Sequence, residues 1–325
     1  MSKYIDKFRQ QRLGDRRWIE KYAVGELDFN DEDSQTQKRT DDTQDHWKAF
    51  HFVSFGSGSS GNCAFLGNEN GGVLIDAGVD PDHVYHDLEA NGIKLSSVKG
   101  ILLTHDHADH IRYAYKIVRE NKHMRIYCTP RLMGGLLRHH NVSRRIKDYQ
   151  VSIFKEIPFF LAGMKITAFD TSHDAIDNMG FSFEAGGSNF VVATDMGIIT
   201  ERAAHYMQQA RYLMIESNYD RNMLDNGKYP EYLKARVRSE KGHLDNEVAA
   251  QFVAEHYHKN LRNVFLCHLS KDNNTEEIAL NTMRQALEAK GITVGDGSNS
   301  ADQSTRDIQI CALPRYTFSD FYILA

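Results

Sequence analysis

Thr104-His105-Asp106-His107-Ala108-Asp109-His110 places three histidines and two aspartates in seven residues, directly behind the apolar run Gly100-Ile101-Leu102-Leu103. This juxtaposition constrains the fold more than any other feature of the chain. The apolar run reads as a buried strand, and its abrupt end in side chains that carry lone pairs delivers candidate ligands to one strand end in fixed geometry. Imidazole nitrogen and carboxylate oxygen suit divalent first-row ions such as Zn²⁺ or Mn²⁺. A solvated turn, rich in histidine by chance, explains neither the ligand-like alternation nor its start where the strand stops. The chemistry this favours is metal-assisted hydrolysis.

The rest of the chain permits that reading and narrows its setting. With 325 residues and 41% hydrophobic content there is enough material for a sizeable core. The formal net charge of −5 gives no global attraction to a polyanion, so nucleic acid would need a local basic patch. Arg131, Arg138, Arg144, Arg145 and Lys147 form one such run, and Lys234, Arg236, Arg238 and Lys241 another, although a charge run is usually just a solvated face. Cys63, Cys128, Cys267 and Cys311 are widely spaced, without a Cys-x-x-Cys pair, and the N-terminus lacks the apolar core of a signal peptide. A cytoplasmic location is expected, and no apolar stretch reaches membrane-spanning length.

Residues 1–48 differ from the remainder. A segment rich in Arg and Lys runs into an acidic stretch from Glu26 to Asp45 with few apolar residues, so a flexible or partly helical extension is expected, ahead of a single domain over 49–325. Short apolar runs between Gly and Asn turns then predict strands at Phe50–Phe55, Cys63–Leu66, Gly72–Asp76, Arg125–Cys128, Gln150–Ile153, Lys165–Phe169, Gly180–Glu184, Asn189–Ala193, Tyr212–Glu216 and Asn263–Cys267. Helical spacing is found over Pro81–Asn91, Ala108–Asn121, Asn246–His258 and Thr275–Lys290. Such mixing across one continuous core predicts an α/β sandwich.

Further ligand-type residues stand where these strands end: Asp76, His173, Asp195 and His268. The ordered set of an Asp, then His-x-His-x-Asp-His, then His, Asp and His resembles the signature of the metallo-β-lactamase superfamily, from about Phe50 onward. The resemblance implies an αββα sandwich with two divalent metal ions. It assigns His105, His107 and His173 to one metal, Asp109, His110 and His268 to a second, Asp195 to a bridge between them, and Asp76 to orienting a ligand. Two metals roughly 3.5–4 Å apart would activate a bridging hydroxide as nucleophile and stabilise charge on a phosphoryl oxygen.

Three segments, Ser54–Asn62, Ser239–Asn246 and His268–Thr275, resemble the WalJ/YycJ group of bacterial 5′ to 3′ DNA exonucleases, and Arg315–Asp320 is similar to that group's terminal strand. This implies a nucleic-acid partner, DNA before RNA, and a role in DNA repair. Glu216 and His243 resemble, in placement, the pair that transfer-RNA-processing relatives bring to the leaving group, making His243 a candidate general acid and Glu216 its orienting carboxylate; Asp109 joins them in the expected catalytic set. A strand-end salt bridge for Glu216 and a surface hydrogen bond for His243 remain as alternatives. The Gly56–Asn62 turn could cradle a phosphate through Ser57, Ser59, Ser60 and Asn62, with Lys271 and Asn273 as further substrate contacts, or could simply join two strands.

His83 and His86 on a surface helix, His139 and His140 in a basic turn, and His256 and His258 at a helix end lack partners at ligand spacing, and Asp106 has no assigned role. Two other functions compete with the exonuclease: a metal-dependent hydrolase of a small phosphodiester or thioester, and a non-catalytic binding or regulatory protein that keeps its metal for structure.

Overall fold

The computed structural model describes residues 50–297 and 305–324. The expectation for residues 1–48 lies outside them. Among the described residues the strands form two sheets. The first contains β1 (Phe50–Gly56), β2 (Cys63–Asn68), β3 (Gly71–Ile75), β4 (Val98–Leu102), β5 (Arg125–Cys128) and β6 (Gln150–Ser152) in that spatial order. The second contains β7 (Phe159–Leu161), β8 (Met164–Asp170), β9 (Met179–Ala185), β10 (Ser188–Ala193), β11 (Tyr212–Glu216) and β12 (Asn263–Cys267), extended by β13 (Val294–Gly295) at the edge and β14 (Ile308–Ala312) between β13 and β12. The chain then returns to the first sheet, where β15 (Tyr322–Leu324) pairs antiparallel with β1.

Each sheet begins antiparallel and continues parallel: β3, β4, β5 and β6 in the first, β10, β11, β12, β14 and β13 in the second. Parallel strands are buried on both faces, and the sequence shows it as continuous apolar runs. In the second sheet Phe190, Tyr212 and Phe265 face the first sheet, with ring centroids of Phe52 at 5.0 Å from Phe190 and 4.8 Å from Phe265. Their alternates, Val191, Leu213 and Val264, pack into a second core beneath helices. That period of two fixes which face each strand turns to which layer.

The helices are α1 (Pro81–Ala90), α2 (Ala108–Ile111), α3 (Ala114–Glu120), α4 (Pro130–His139), α5 (Glu201–Met207), α6 (Arg221–Asn226), α7 (Glu231–Val237), α8 (Asn246–Glu255) and α9 (Glu276–Glu288). The start of α1 is set by Asp80, whose carboxylate accepts from the Asp82 N–H, with Pro81 next. Thr129 and Thr275 cap α4 and α9 in the same way. Helices α1 and α3 pack on the first sheet, while α5 and α9 cover the second and α8 packs against α9, which gives the expected two-sheet sandwich.

Three sequence expectations need correction. The helix expected over Ala108–Asn121 is broken at Arg112 and Tyr113, because the Ala77 backbone inserts there, its N–H donating to the His110 carbonyl and its carbonyl accepting from the Tyr113 N–H. Arg315–Asp320 is not a strand; it bends, Ser319 is held by Ser54, and the pairing strand follows at Tyr322. His139 and His140 sit at the end of α4 and not in a turn, and the ring of His140 lies 3.8 Å from Asp106. Asp106 thereby acquires a place: its carboxylate accepts from the Ile176 N–H and pins the loop that follows His173.

Candidate metal centre

Parallel strands end together, and in open α/β sheets the residues just past their carboxyl ends share one crevice. Here β3 gives Asp76, β4 gives the His105–His110 cluster, β8 gives His173, β10 gives Asp195, β11 ends in Glu216 and β12 gives His268. Asp76, Asp195 and His268 have φ of 61°, 53° and 54°, a left-handed turn that swings each side chain off its strand axis. The cluster's own turn depends on Gly78, where an added Cβ would lie 1.5 Å from the Asp109 carbonyl oxygen.

Among the described residues, ligand atoms of His105, His107 and His173 lie within 4.8 Å of one another, as do those of Asp109, His110 and His268. His173 Nδ1 donates to the Gly242 carbonyl at 2.8 Å, which leaves Nε2 bare and 3.2 Å from His107 Nδ1. Asp195 stands between the two groups, with Oδ2 3.4 Å from His110 Nε2 and Oδ1 3.8 Å from His173 Nε2. Asp76 Oδ2 accepts from His110 Nδ1 at 2.7 Å and also from the Thr104 hydroxyl, so Nε2 is turned toward Asp109 Oδ2 at 3.6 Å. His268 Nε2 lies equally far from the same Asp109 oxygen, at 3.6 Å.

Two nitrogens test whether a metal fits. His105 Nε2 and His268 Nε2 are buried and have no hydrogen-bond partner, an uncompensated desolvation that a cation would relieve. The remaining donors are imidazoles and carboxylates, as divalent first-row metals require. Burial, reinforced by the charge of His110, holds His105 well below its ordinary value and therefore neutral. Burial opposes ionisation of Asp109, but His110 and His268 outweigh it and bring the carboxyl to about 2. Burial likewise opposes protonation of His110, yet Asp76, Asp195 and Asp109 lift it to about 9. A metal would take the neutral ring, with its proton on Nδ1 where Asp76 accepts it, and would displace the Asn62 amide nitrogen that lies 2.9 Å from the same Nε2.

Glu216 is fully enclosed. Its Oε2 accepts from the Met196 N–H at 2.8 Å and the Leu244 N–H at 3.2 Å, while Oε1 accepts from His243 Nδ1 at 2.7 Å and contacts His268 Nδ1 at 3.0 Å. Burial raises the cost of its charge, but His243 and His268 hold the carboxyl below its usual range. The strand-end ion pair expected as the alternative for Glu216 is present, and its partners are the imidazoles of the centre, His243 and His268. His243, positioned by that carboxylate, sits with its ring 5.0 Å from His173 and 5.1 Å from His268, centroid to centroid.

The expected substrate contacts separate. Asn62 donates to Asp109 Oδ2 at 3.1 Å, and its carbonyl oxygen accepts from the Gly58 N–H. The Ser57 hydroxyl is buried and accepts from the His268 backbone N–H at 2.8 Å, so it fixes a candidate ligand and does not face solvent. Ser59, Ser60 and Lys271 are exposed. Asn273 is enclosed, and its backbone carbonyl accepts from the Asp220 N–H, so it braces a loop and is not open to solvent. Of the basic runs, Lys234 is buried and bonded to the Asp225 carbonyl, Arg238 pairs with Asp225, and Arg236 pairs with Asp174 at 2.6 Å. Asp174 was not singled out from sequence; its carboxylate lies 3.7 Å from His107 Nε2 and 3.5 Å from His173 Nε2. Its position directly after His173 was the available signal.

Residues 72–268 match the family model of the β-lactamase superfamily domain. The chain belongs to the metallo-β-lactamase superfamily. More particularly, it is similar to exodeoxyribonuclease YycJ of Bacillus anthracis, 31% identical over 248 residues, which cover 76% of this chain and 92% of the relative. It is also similar to exodeoxyribonuclease WalJ of Streptococcus pneumoniae serotype 2, 30% identical over 247 residues, 76% of this chain and 91% of the relative. The solved structure of the metallo-β-lactamase fold protein YhfI from Bacillus subtilis shares the fold, with a TM-score of 0.59 at 12% identity, covering 84% of this chain and 99% of that one.

Proposed function

We propose that this chain is a divalent-metal-dependent phosphodiesterase that degrades DNA from a 5′ end. The observation that carries the reading is the Glu216–His243 pair standing beside two converging groups of metal-type donors. A ligand cluster alone would serve many hydrolases; an imidazole held on Nδ1 by a buried carboxylate adds a proton donor suited to a departing oxygen. The names of the two curated relatives support DNA as substrate and removal from an end. The 5′ to 3′ direction rests on the resemblance of the three segments.

His105, His107, Asp109, His110, His173, Asp195 and His268 would hold two divalent cations. When bound, such ions supply Lewis-acid stabilisation of phosphoryl charge and acidify water. The chain's own residues do the remaining work. Asp76 and the Gly242 carbonyl fix the ring orientation of His110 and His173. Glu216 keeps the His243 proton on Nδ1, so that the opposite nitrogen, when protonated, can pass its proton to the leaving alkoxide. Asp109 spans His110 and His268, and Asn62 steadies it from the β1–β2 turn. The four cysteines are buried free thiols, in keeping with a reducing cytoplasm. No helix among the described residues is long and apolar enough to cross a membrane.

Purified protein supplied with Mn²⁺ or Zn²⁺ should shorten 5′-phosphorylated, end-labelled DNA, and His107→Ala should lose both that activity and bound metal by elemental analysis. Undiminished digestion by the variant would overturn the assignment.

A further inference from the structure

Beside the metal centre, on the His268 side, a cavity of about 600 Å³ opens between the β12–α9 loop and the segment that follows β14. Its walls include Leu269, Lys271, Glu276, Arg315 and Tyr316, and its volume suits one small ligand or part of a larger one. The link to the centre is short: the Ser57 N–H donates to the Pro314 carbonyl at 3.1 Å, and the Ser57 hydroxyl accepts from the His268 N–H. Arg315 donates to the Leu269 carbonyl and lies over one face of Tyr316, 5.8 Å from the ring centroid. Tyr316 is nevertheless 64% exposed, and Phe318, two residues on, is 51% exposed.

A tyrosine stiffened on one face by a guanidinium and open on the other is a preorganised surface for a flat apolar group. The acidic first turn of α9, Glu276 and Glu277, shares the cavity with the Arg315 guanidinium and offsets its charge, and its carboxylates can accept from the amino groups of bases. Lys271 is the exposed cation on the rim that a backbone phosphate can reach. The geometry points to Tyr316 as a platform on which an unpaired base of single-stranded DNA stacks while the phosphodiester reaches the metals. A base stacked in a duplex must leave its neighbours to lie on Tyr316, so an end that is already single-stranded meets the platform at the smaller cost. This inference rests on the nuclease reading above.

The test is fluorescence anisotropy with a labelled single-stranded oligonucleotide whose phosphorothioate linkages resist cleavage, titrated with metal-loaded protein. Tyr316→Ala should raise Kd by about 5- to 150-fold, the loss of one stacked base, while Tyr316→Trp should bind as tightly as wild type. Phe160→Ala, removing a 78% exposed ring on β7 at the edge of the second sheet, should leave Kd unchanged. Unchanged affinity in Tyr316→Ala, wild-type preference for the duplex, or no binding by wild type would each overturn the platform. Digestion of the ordinary oligonucleotide by wild type is read in parallel, so failure of the nuclease reading shows there and not in the anisotropy.

Discussion

Asp76, Asp195 and His268 each hold a backbone conformation that costs about 1–3 kcal/mol for a residue with a side chain. They keep it because only that turn aims carboxylate and imidazole from strand ends into a common point. Asp76 makes no contact with a prospective metal, yet it sets the tautomer of His110; Asp76→Asn should weaken metal affinity by about 10- to 100-fold, measured by competition with a chelating dye. Gly78→Ala forces a methyl into the Asp109 carbonyl and should destabilise the protein by at least about 3 kcal/mol in denaturant unfolding. At this scale the sequence was highly legible for the donors, since lone pairs belong to residue types and their order is visible. Ser57 and Asp174 were less so. The bond of Ser57 is to a backbone 211 residues away, and the place of Asp174 depends on Arg236, 62 residues on. No local pattern carries such distances.

Among elements, the strands were read more completely than the helices, because parallel strands buried on both faces leave unbroken apolar runs. The helices α5, α6 and α7 have seven, six and seven residues, too few for a helical period to emerge. Helix α4 hides behind Gly134-Gly135, a poor helical pair by propensity; the tertiary reason is that a Cβ on Gly135 would fall 2.8 Å from Ile176. Tyr316 and Phe318 alternate as strand residues do, but both point to solvent and neither pairs. The loop around the centre depends on Asn274, whose amide donates to the Ser217 carbonyl at 2.9 Å and the Asn218 carbonyl at 3.0 Å and to Asn246 at 2.9 Å. Asn274→Ala removes the side-chain donor to the buried Ser217 carbonyl and one of two donors to the Asn218 carbonyl and to Asn246, which keep the Ser270 N–H and the Ser217 hydroxyl. It should cost about 1–3 kcal/mol and speed hydrogen exchange at Ser270, whose N–H donates to the Asn218 carbonyl.

On the scale of the whole molecule, the candidate donors divide between the sheets: His105, His107, Asp109 and His110 come from the first, His173, Asp195 and His268 from the second. Metal would therefore tie the two halves together. Chelation should lower the melting temperature, and restoring ion to about 100 times its Kd should return about 2.7 kcal/mol, seen by calorimetry. The two-sheet plan was visible in the order of strands, but the return of β15 to β1 was not, since a three-residue strand carries almost no pattern. That return has a consequence during synthesis. Ser54 and Ser319, which clamp β1 to the returning segment, are 265 residues apart. At a ribosomal speed of about 5–20 residues per second, β1 waits roughly 13 to 53 s with an open edge before its last partner exists. Translation pauses downstream of β14 would lengthen the time this nascent edge spends in need of a chaperone.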